Sequence, residues 1–529
     1  MPSAVTQVGN FTWNSTAPAS TLNFVPCYQN YSCARLEVPL DWSDTTDNDT
    51  VILAIIKLST EVDHSDRRYG GSIIINPGGP GDSGVQEIFN RGKEIQNIVE
   101  SSDKEERYFD IVSFDPRGVG NTLPPLSCFP DLLSNYLWKE AVQAEGLADS
   151  SEHAEDYLWS RMQSIGTACT NTEKGGADIG PYMNTWSTAH DLRHLAQLLQ
   201  PGSNQNAKLQ YWGYSYGTLL GITYASLFPD QVHRMVLDGV VDALGWYSGN
   251  LSTSFRDADL VVDSFFHYCH RAGYPRCAFA DASANASANA MSNDEDETEM
   301  ISYLQKRLTD ILADMKASPL WTSRPSPEII TYSDIKTLLK TALYAPNDLF
   351  PIFATILSDL EQRNASSMAA WKATLREETQ PAHCLDSACQ SSAPCREACR
   401  SGSRIELTEG IACLDLSQKL FNITQEEYSE LYLQPVLESS YWIGDTFADF
   451  YMPCASWKGE GPGSFQGPIG AQNMSTPILF VSNTLDPVTP LADAHAMSAL
   501  FNGSVVLEQH AEGVYVLSHG RVAARGDAL

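Results

Sequence analysis

The sequence predicts an α/β fold, a mostly parallel central sheet with crossover helices into which a large helical cap is inserted before the last strands. Three observations predict it. Short apolar runs alternate with helical stretches up to about Gly245, the strand pattern disappears between Trp246 and Gly444, and it returns at Pro477–Ser482.

Val51–Lys57, Ser72–Ile75 and Tyr108–Phe114 are mostly apolar runs of strand length, as strands covered on both faces require. Leu209–Trp212 and Met235–Leu237 flank Thr218–Phe228, whose small and apolar residues suit a buried helix, so the three form a βαβ unit. From 246 to 444 the chain reads as helices punctuated by polar and acidic loops such as Ser292–Glu299. Within it, Ala282–Ala290, rich in Ala, Ser and Asn, is a loop or a frayed helix end. An amphipathic helix at Leu491–Leu500 and a strand at Ser504–Gln509 follow the returning strand. The expected organisation is a core from 1 to 245, a cap from 246 to 444 and the rest of the core from 445 to 529, with no internal repeat and an atypical end after 513.

At 529 residues the chain exceeds what one hydrophobic core organises, and 43% hydrophobic with 19% charged residues is an ordinary globular composition. Sixty-five acidic against 34 basic residues leave a net charge of −31, a field that repels phosphates and excludes nucleic acid as a partner. No run approaches the roughly 18 to 20 apolar residues that span a bilayer, so no membrane partner is expected. Nothing in the sequence calls for a cofactor, and a monomer is expected.

Twelve cysteines are an even number. Cys27 and Cys33, and Cys269 and Cys277, form close pairs, while Cys384, Cys389, Cys395 and Cys399 cluster; Cys128, Cys169, Cys413 and Cys454 complete the set. The spacings of the cluster lack the Cys-x-x-Cys pairs of common zinc sites, which favours disulfides over metal. Asn-x-Ser/Thr sequons stand at Asn10, Asn14, Asn30, Asn48, Asn250, Asn285, Asn364, Asn422, Asn473 and Asn502. Cysteines and sequons together point to a secreted, disulfide-bonded glycoprotein, although Met1-Pro-Ser-Ala-Val-Thr-Gln-Val carries neither the basic nor the apolar region of a signal peptide.

Three segments carry chemistry. Leu209-Gln-Tyr-Trp-Gly213-Tyr214-Ser215-Tyr216-Gly217 is a strand running into Gly-x-Ser-x-Gly and a helix, the context in which a strained turn exposes a nucleophilic hydroxyl, here that of Ser215. Ser72–Ile75 ends in the glycine-rich turn Asn76-Pro77-Gly78-Gly79-Pro80-Gly81-Asp82-Ser83-Gly84, which can present bare backbone donors to an oxyanion; without Gly-Lys-Ser/Thr it is not a phosphate loop. The oxyanion donors are then the N–H groups of Gly79 and of Tyr216, the residue after the nucleophile. Asp486, just beyond the returning strand in Leu485-Asp486-Pro487, stands where an acid would orient a histidine.

These segments, in order, resemble the secreted tripeptidyl-aminopeptidase and prolyl-iminopeptidase-like family of α/β-hydrolases. The resemblance also takes in Cys33-Ala-Arg-Leu-Glu-Val-Pro-Leu-Asp41, Phe114-Asp-Pro-Arg-Gly-Val-Gly120, Tyr224–Pro229, Met235-Val-Leu-Asp-Gly-Val-Val-Asp242 and Gly410-Ile-Ala-Cys413, so that it covers nearly the whole chain. It implies an α/β-hydrolase core under a helical cap and a serine exopeptidase that releases short peptides or single residues from free N-termini, with cap acids holding the substrate ammonium. Glu426, Glu427, Glu430 and Asp445 are candidates for that role only as acids in or beside the cap. The family's catalytic histidine follows a glycine after the last strand. Here that stretch reads Gln509-His510-Ala511-Glu512-Gly513-Val514-Tyr515, with Val514 in its place. His519 in the tail, or else His510, is the remaining candidate base. Two other readings stay open: a carboxylesterase or lactonase with a small ester substrate, and a hydrolase fold impaired by the missing histidine.

Overall fold

The computed structural model describes residues 11–514, apart from 45, 47, 103–106, 171–177, 201–206, 281–293, 324–325, 380–403, 417–418 and 460–462. The strands are β1 (Val25–Cys27), β2 (Tyr31–Pro39), β3 (Thr50–Leu58), β4 (Tyr69–Asn76), β5 (Tyr108–Asp115), β6 (Leu209–Tyr214), β7 (Val232–Asp238), β8 (Leu320–Thr322), β9 (Glu328–Ile330), β10 (Leu479–Leu485) and β11 (Val505–Glu512). All but β8 and β9 form one sheet in the order β1-β2-β3-β5-β4-β6-β7-β10-β11. From β5 to β11 the neighbours are parallel, and β1, β2 and β3 add an antiparallel flank.

The parallel part is built from residues that bury on both faces, such as Ile74 and Ile75 of β4 and Ile111, Val112 and Phe114 of β5. Helix α1 (Gly84–Ser102) joins β4 to β5. Between β5 and β6 run α2 (Leu132–Glu145), α3 (Ala154–Thr170) and α4 (Thr185–Leu198), and α5 (Tyr216–Leu227) joins β6 to β7. Helix α5 is buried along almost its whole length, which a run of Gly, Thr, Leu, Ile and Tyr with no charge permits. The fold is that of an α/β-hydrolase.

Between β7 and β10 lie α6 (Ala243–Ser248), α7 (Ala258–Ala272), α8 (Asp294–Ala317), α9 (Tyr332–Tyr344), α10 (Pro346–Glu361), α11 (Ser366–Thr379), α12 (Arg404–Asp415), α13 (Gln425–Tyr428) and α14 (Gln434–Ser439). The expectation that this stretch holds no strand is corrected by β8 and β9, which pair antiparallel. Three residues each are too short to establish an alternating pattern. A hydrophobic cluster from Phe255 to Ala369, closed by Val436, Trp442 and Ile443, is separate from the main core. Leu407 to Leu433 and Ala448 to Trp457 instead pack into the main core beneath the sheet helices. Helix α12 therefore lies within the expected cap in sequence but packs with the core. After β10, α15 (Leu491–Ser498) leads to β11.

Among the described residues, disulfides join Cys27 to Cys33, Cys128 to Cys169, Cys269 to Cys277 and Cys413 to Cys454. The second and fourth each span 41 residues, and a crosslink over such a loop removes unfolded-state entropy worth about 4 kcal/mol in the chain-entropy account. Cys384 to Cys399, the Asn10 and Asn285 sequons and the tail with His519 lie outside the described residues. No described helix is long and apolar enough to cross a membrane.

One ion pair is sealed inside the core. Arg117, in the loop after β5, meets Asp191 of α4 through Nε at 2.6 Å and Nη2 at 2.8 Å, with both side chains fully buried. Its Nη2 also donates to the Pro39 carbonyl at 2.7 Å, and Trp42 Nε1 donates to Asp191 at 2.7 Å. The pair ties the end of β2, the β5 loop and α4 together. Removing one partner strands a buried charge, so Asp191→Ala should lower the urea-unfolding free energy by about 3 to 5 kcal/mol, and the double change Arg117→Met with Asp191→Leu by far less.

Candidate active site

Strand β6 ends at Tyr214, and the chain turns into α5 through Ser215 at φ 53°, ψ −127°. A side chain at that φ is strained, and the turn holds it with three bonds: Ser215 N–H to the Asp238 carbonyl at 3.1 Å, and the Thr218 N–H and hydroxyl to the Ser215 carbonyl at 2.8 and 2.7 Å. The glycines on either side are required by close approach. A Cβ at Gly213 would lie 2.3 Å from the Gly217 carbonyl oxygen, and one at Gly217 would lie 2.6 Å from that of Asn76. Ser215 is half-buried, neither sealed in packing nor fully in solvent.

The turn after β4 lies directly on this elbow. A Cβ at Gly78 (φ 94°) would stand 2.5 Å from the Tyr214 carbonyl oxygen, 3.0 Å from the Tyr216 nitrogen and 3.1 Å from Ser215 Cβ. Gly78 N–H is held by the Asn76 side-chain oxygen at 3.0 Å. Gly79 (φ 104°) follows, and a Cβ there would stand 2.9 Å from the Asp82 nitrogen and 3.0 Å from that of Gly81. The far side of the turn is fixed by Asp115, which accepts from Ser83 Oγ at 2.5 Å, Val85 N–H at 3.0 Å and Asn121 N–H at 2.8 Å.

Register places the rest. Asn76 is level with Gly213, Tyr214 with Asp238, and Asp238 with Val481. The segments after β4, β6 and β10 thus emerge at the same carboxyl edge, where open α/β sheets place their sites. Asp486, one residue past β10, is fully buried and accepts from Val488 N–H at 3.0 Å, Thr489 N–H at 2.8 Å and Thr489 Oγ1 at 2.8 Å. Three donors keep its carboxylate in one orientation.

The histidines are placed less favourably. His510 is exposed on β11, the edge strand, and no hydrogen bond joins it to Ser215 or Asp486. Gly513 N–H bonds the Leu485 carbonyl at 2.9 Å, and Asn483 Nδ2 donates to the Gly513 carbonyl at 2.8 Å. The chain after β11 is thereby delivered beside the residue preceding Asp486, and Val514, 1% exposed, occupies that place. His519 is outside the described residues.

The four cap acids fare differently from one another. Asp445 is buried in an ion pair with Lys336 at 3.0 Å and accepts from Tyr332 at 3.0 Å. Glu427 closes the capping box of α13, and Glu426 and Glu430 line an open surface cleft of about 640 Å³ with Glu155. A different acid stands out. Glu409 on α12 is 6% exposed, and its Oε2 is buried without a hydrogen-bond partner. Burial, reinforced by the neighbouring Asp449 carboxylate, pushes its pKa well up; burial likewise raises Asp449, with Lys340 opposing. Sequence reading missed this pair because its members are 40 positions apart on elements with no shared motif. Its one available signal was position: Glu409 immediately precedes Gly410-Ile-Ala-Cys413. No described group of His, Cys, Asp and Glu could hold a metal ion.

Comparison with known proteins bears on the fold and the family. The alpha/beta hydrolase fold family matches residues 71–264, and the TAP-like protein family matches residues 439–526. The serine protease Hip1 of Mycobacterium tuberculosis is 27% identical over 475 residues, 90% of this chain and 80% of that protein. The tripeptidyl aminopeptidase of Streptomyces lividans is 33% identical over 227 residues, 41% of this chain and 37% of its own length. Carboxylesterase B of Mycobacterium tuberculosis is 32% identical over 210 residues, 40% of this chain and 36% of its own length.

If Ser215 is strained as its backbone indicates, Ser215→Gly should be more stable than the wild type by about 1 to 3 kcal/mol in urea unfolding. Equal or lower stability would show that the turn carries no such strain.

Proposed function

We propose that this chain, which belongs to the α/β-hydrolase serine peptidases, is an exopeptidase that removes short peptides or single residues from free N-termini through an acyl-enzyme on Ser215. The observation that carries the reading is the contact between the Gly78 turn and the Ser215–Tyr216 elbow, which sets bare backbone next to a half-buried hydroxyl. In this reading Ser215 Oγ attacks the scissile carbonyl carbon while its proton passes to an imidazole. The resulting oxyanion accepts hydrogen bonds from the Gly79 and Tyr216 N–H groups, each such donor being worth about 3 to 4 kcal/mol. The imidazolium then gives its proton to the leaving amine, and water, activated by the same base, releases the acyl group.

Asp486 would orient that base and stabilise its charge. We assign the base to His519, which follows by only five positions Val514, itself next to the Gly513 that bonds the Leu485 carbonyl before the acid. His510 remains the second candidate, disfavoured by its place on the exposed edge. Glu409 and Asp449 would receive the substrate's free ammonium: α12 rests on the same turn that supplies Gly79, and two adjacent carboxyls with one unpartnered oxygen are short of a cation. The four disulfides and the exposure of every described sequon asparagine, Asn14, Asn30, Asn48, Asn250, Asn364, Asn422, Asn473 and Asn502, support a secreted glycoprotein.

The deciding experiment is fluorophosphonate labelling followed by substrate profiling. Labelling should occur in the wild type and vanish in Ser215→Ala, and Asp486→Asn should lower kcat by about 10⁴-fold. Tripeptide anilides with free N-termini should be cleaved and their N-acetylated forms not. Turnover of p-nitrophenyl esters with no cleavage of free peptides would replace the peptidase with an esterase, a reading that carboxylesterase B keeps in view. His519→Ala should abolish labelling and added Val514→His restore it; an undiminished His519→Ala would reject that base.

The acid pair makes a pH prediction. Since burial raises the pKa of both carboxyls, they bind protons in competition with the ammonium, so KM for free peptides should rise as pH falls. Glu409→Gln should raise KM about 10 to 100-fold, equivalent to the roughly 1.5 to 3 kcal/mol of a charge-assisted hydrogen bond, and weaken that dependence.

A further inference from the structure

Helix α12 touches both halves of the proposed oxyanion hole. At its start, Thr408 Oγ1 donates to the Pro80 carbonyl at 2.7 Å, one residue past Gly79. Leu407 closes on Gly81 so tightly that a Cβ there would come within 2.7 Å of Leu407 Cβ. At its end, Asp415 accepts from the Thr185 N–H at 2.7 Å and the Thr185 hydroxyl at 2.6 Å, and from Trp246 Nε1 at 2.9 Å. The Thr185 hydroxyl has its single proton committed to Asp415, so the Tyr216 hydroxyl donates to it, at 2.6 Å. Tyr216 is the residue whose N–H is the second oxyanion donor.

Two separate anchors hold the helix in place. Glu406 accepts from the Cys128 N–H at 2.8 Å and Asn135 Nδ2 at 3.1 Å, and Cys413 is bonded to Cys454. The Thr185, Asp415, Trp246 and Tyr216 side chains are all buried, so the link runs through groups that water does not compete for.

We infer that α12 is the strut that sets the separation between the two oxyanion donors, with Thr408 and Asp415 as its positioning residues. The inference rests on the reading of Gly79 and Tyr216 as the donors. Neither Thr408 nor Asp415 touches the reacting atoms: the first holds the Pro80 peptide and so the turn carrying Gly79, and the second holds Tyr216 through Thr185. An oxyanion hole acts through donor geometry in the transition state, and displacements of well under 1 Å are felt there while ground-state binding is little changed. The strut should therefore appear in kcat and in the labelling rate rather than in KM.

The test compares Thr408→Val, which keeps the shape and removes the hydroxyl, with Thr408→Ser, which keeps the hydroxyl. Fluorophosphonate labelling rates are read alongside kcat and KM for a free-N-terminal tripeptide anilide and the thermal midpoint of each protein. T408V should lose about 10-fold in labelling rate and kcat with KM within about twofold, and T408S should stay within about twofold of the wild type throughout. Asp415→Asn should lower kcat in the same manner. A labelled wild type matched in rate by T408V overturns the inference alone. So does equal loss in T408V and T408S that follows the thermal midpoint, since that is the behaviour of simple packing. A folded wild type that takes up no probe overturns the serine-hydrolase reading and this inference with it.

Discussion

The site depends on one backbone constraint, the positive φ of Ser215 between a parallel strand and a buried helix. A hydroxyl can be raised above the sheet edge only by a turn this sharp, and such a turn leaves no room for side chains around it. Gly213, Gly217 and Gly78 each stand where a Cβ would enter a neighbour's backbone. The strain is held by bonds to the β7 end and into the first turn of α5, so the cost at one residue is met by the cooperative packing of the sheet.

Around that turn the structure supplies charge in two ways. Asp486 is fully buried yet given three donors, which hold its carboxylate still. Asp415 is equally buried with donors from Thr185 and Trp246, and burial nonetheless pushes it up to about 6. Glu409 Oε2 has no such donor, and burial pushes its pKa well up. The contrast separates acids that organise the framework from one with an oxygen that no neighbour satisfies. In a chain with a net charge of −31, single acids are poor guides to function, and their hydrogen-bond partners discriminate better.

How much could be read from the sequence follows from the range of the interactions. The elbow was legible because its strand, its glycines and its helix are contiguous, and the glycine turn and Asp486 because each directly follows an apolar strand. The β1–β2 hairpin was not read as strands: Arg35 and Glu37 interrupt the apolar run of Tyr31–Pro39, and a bond from Arg35 to the Thr16 carbonyl helps to accommodate the buried guanidinium. The Glu409–Asp449 pair and the Thr185–Asp415 link were hidden for the opposite reason. They join residues far apart in the chain, and no local pattern records that. His510 attracted notice by type and proximity in sequence, whereas the alternation of β11 turns it outward.

The division of the hydrophobic interior has a bearing on how such enzymes can be recombined. Residues 255 to 369 form a cluster of their own, while α12 and the segment from 448 to 457 are packed into the sheet's core and crosslinked to each other. A chimera that exchanged everything between β7 and β10 would remove part of the host's interior along with the separate cluster. Breakpoints set around the inner cluster alone would leave the host's own interior intact.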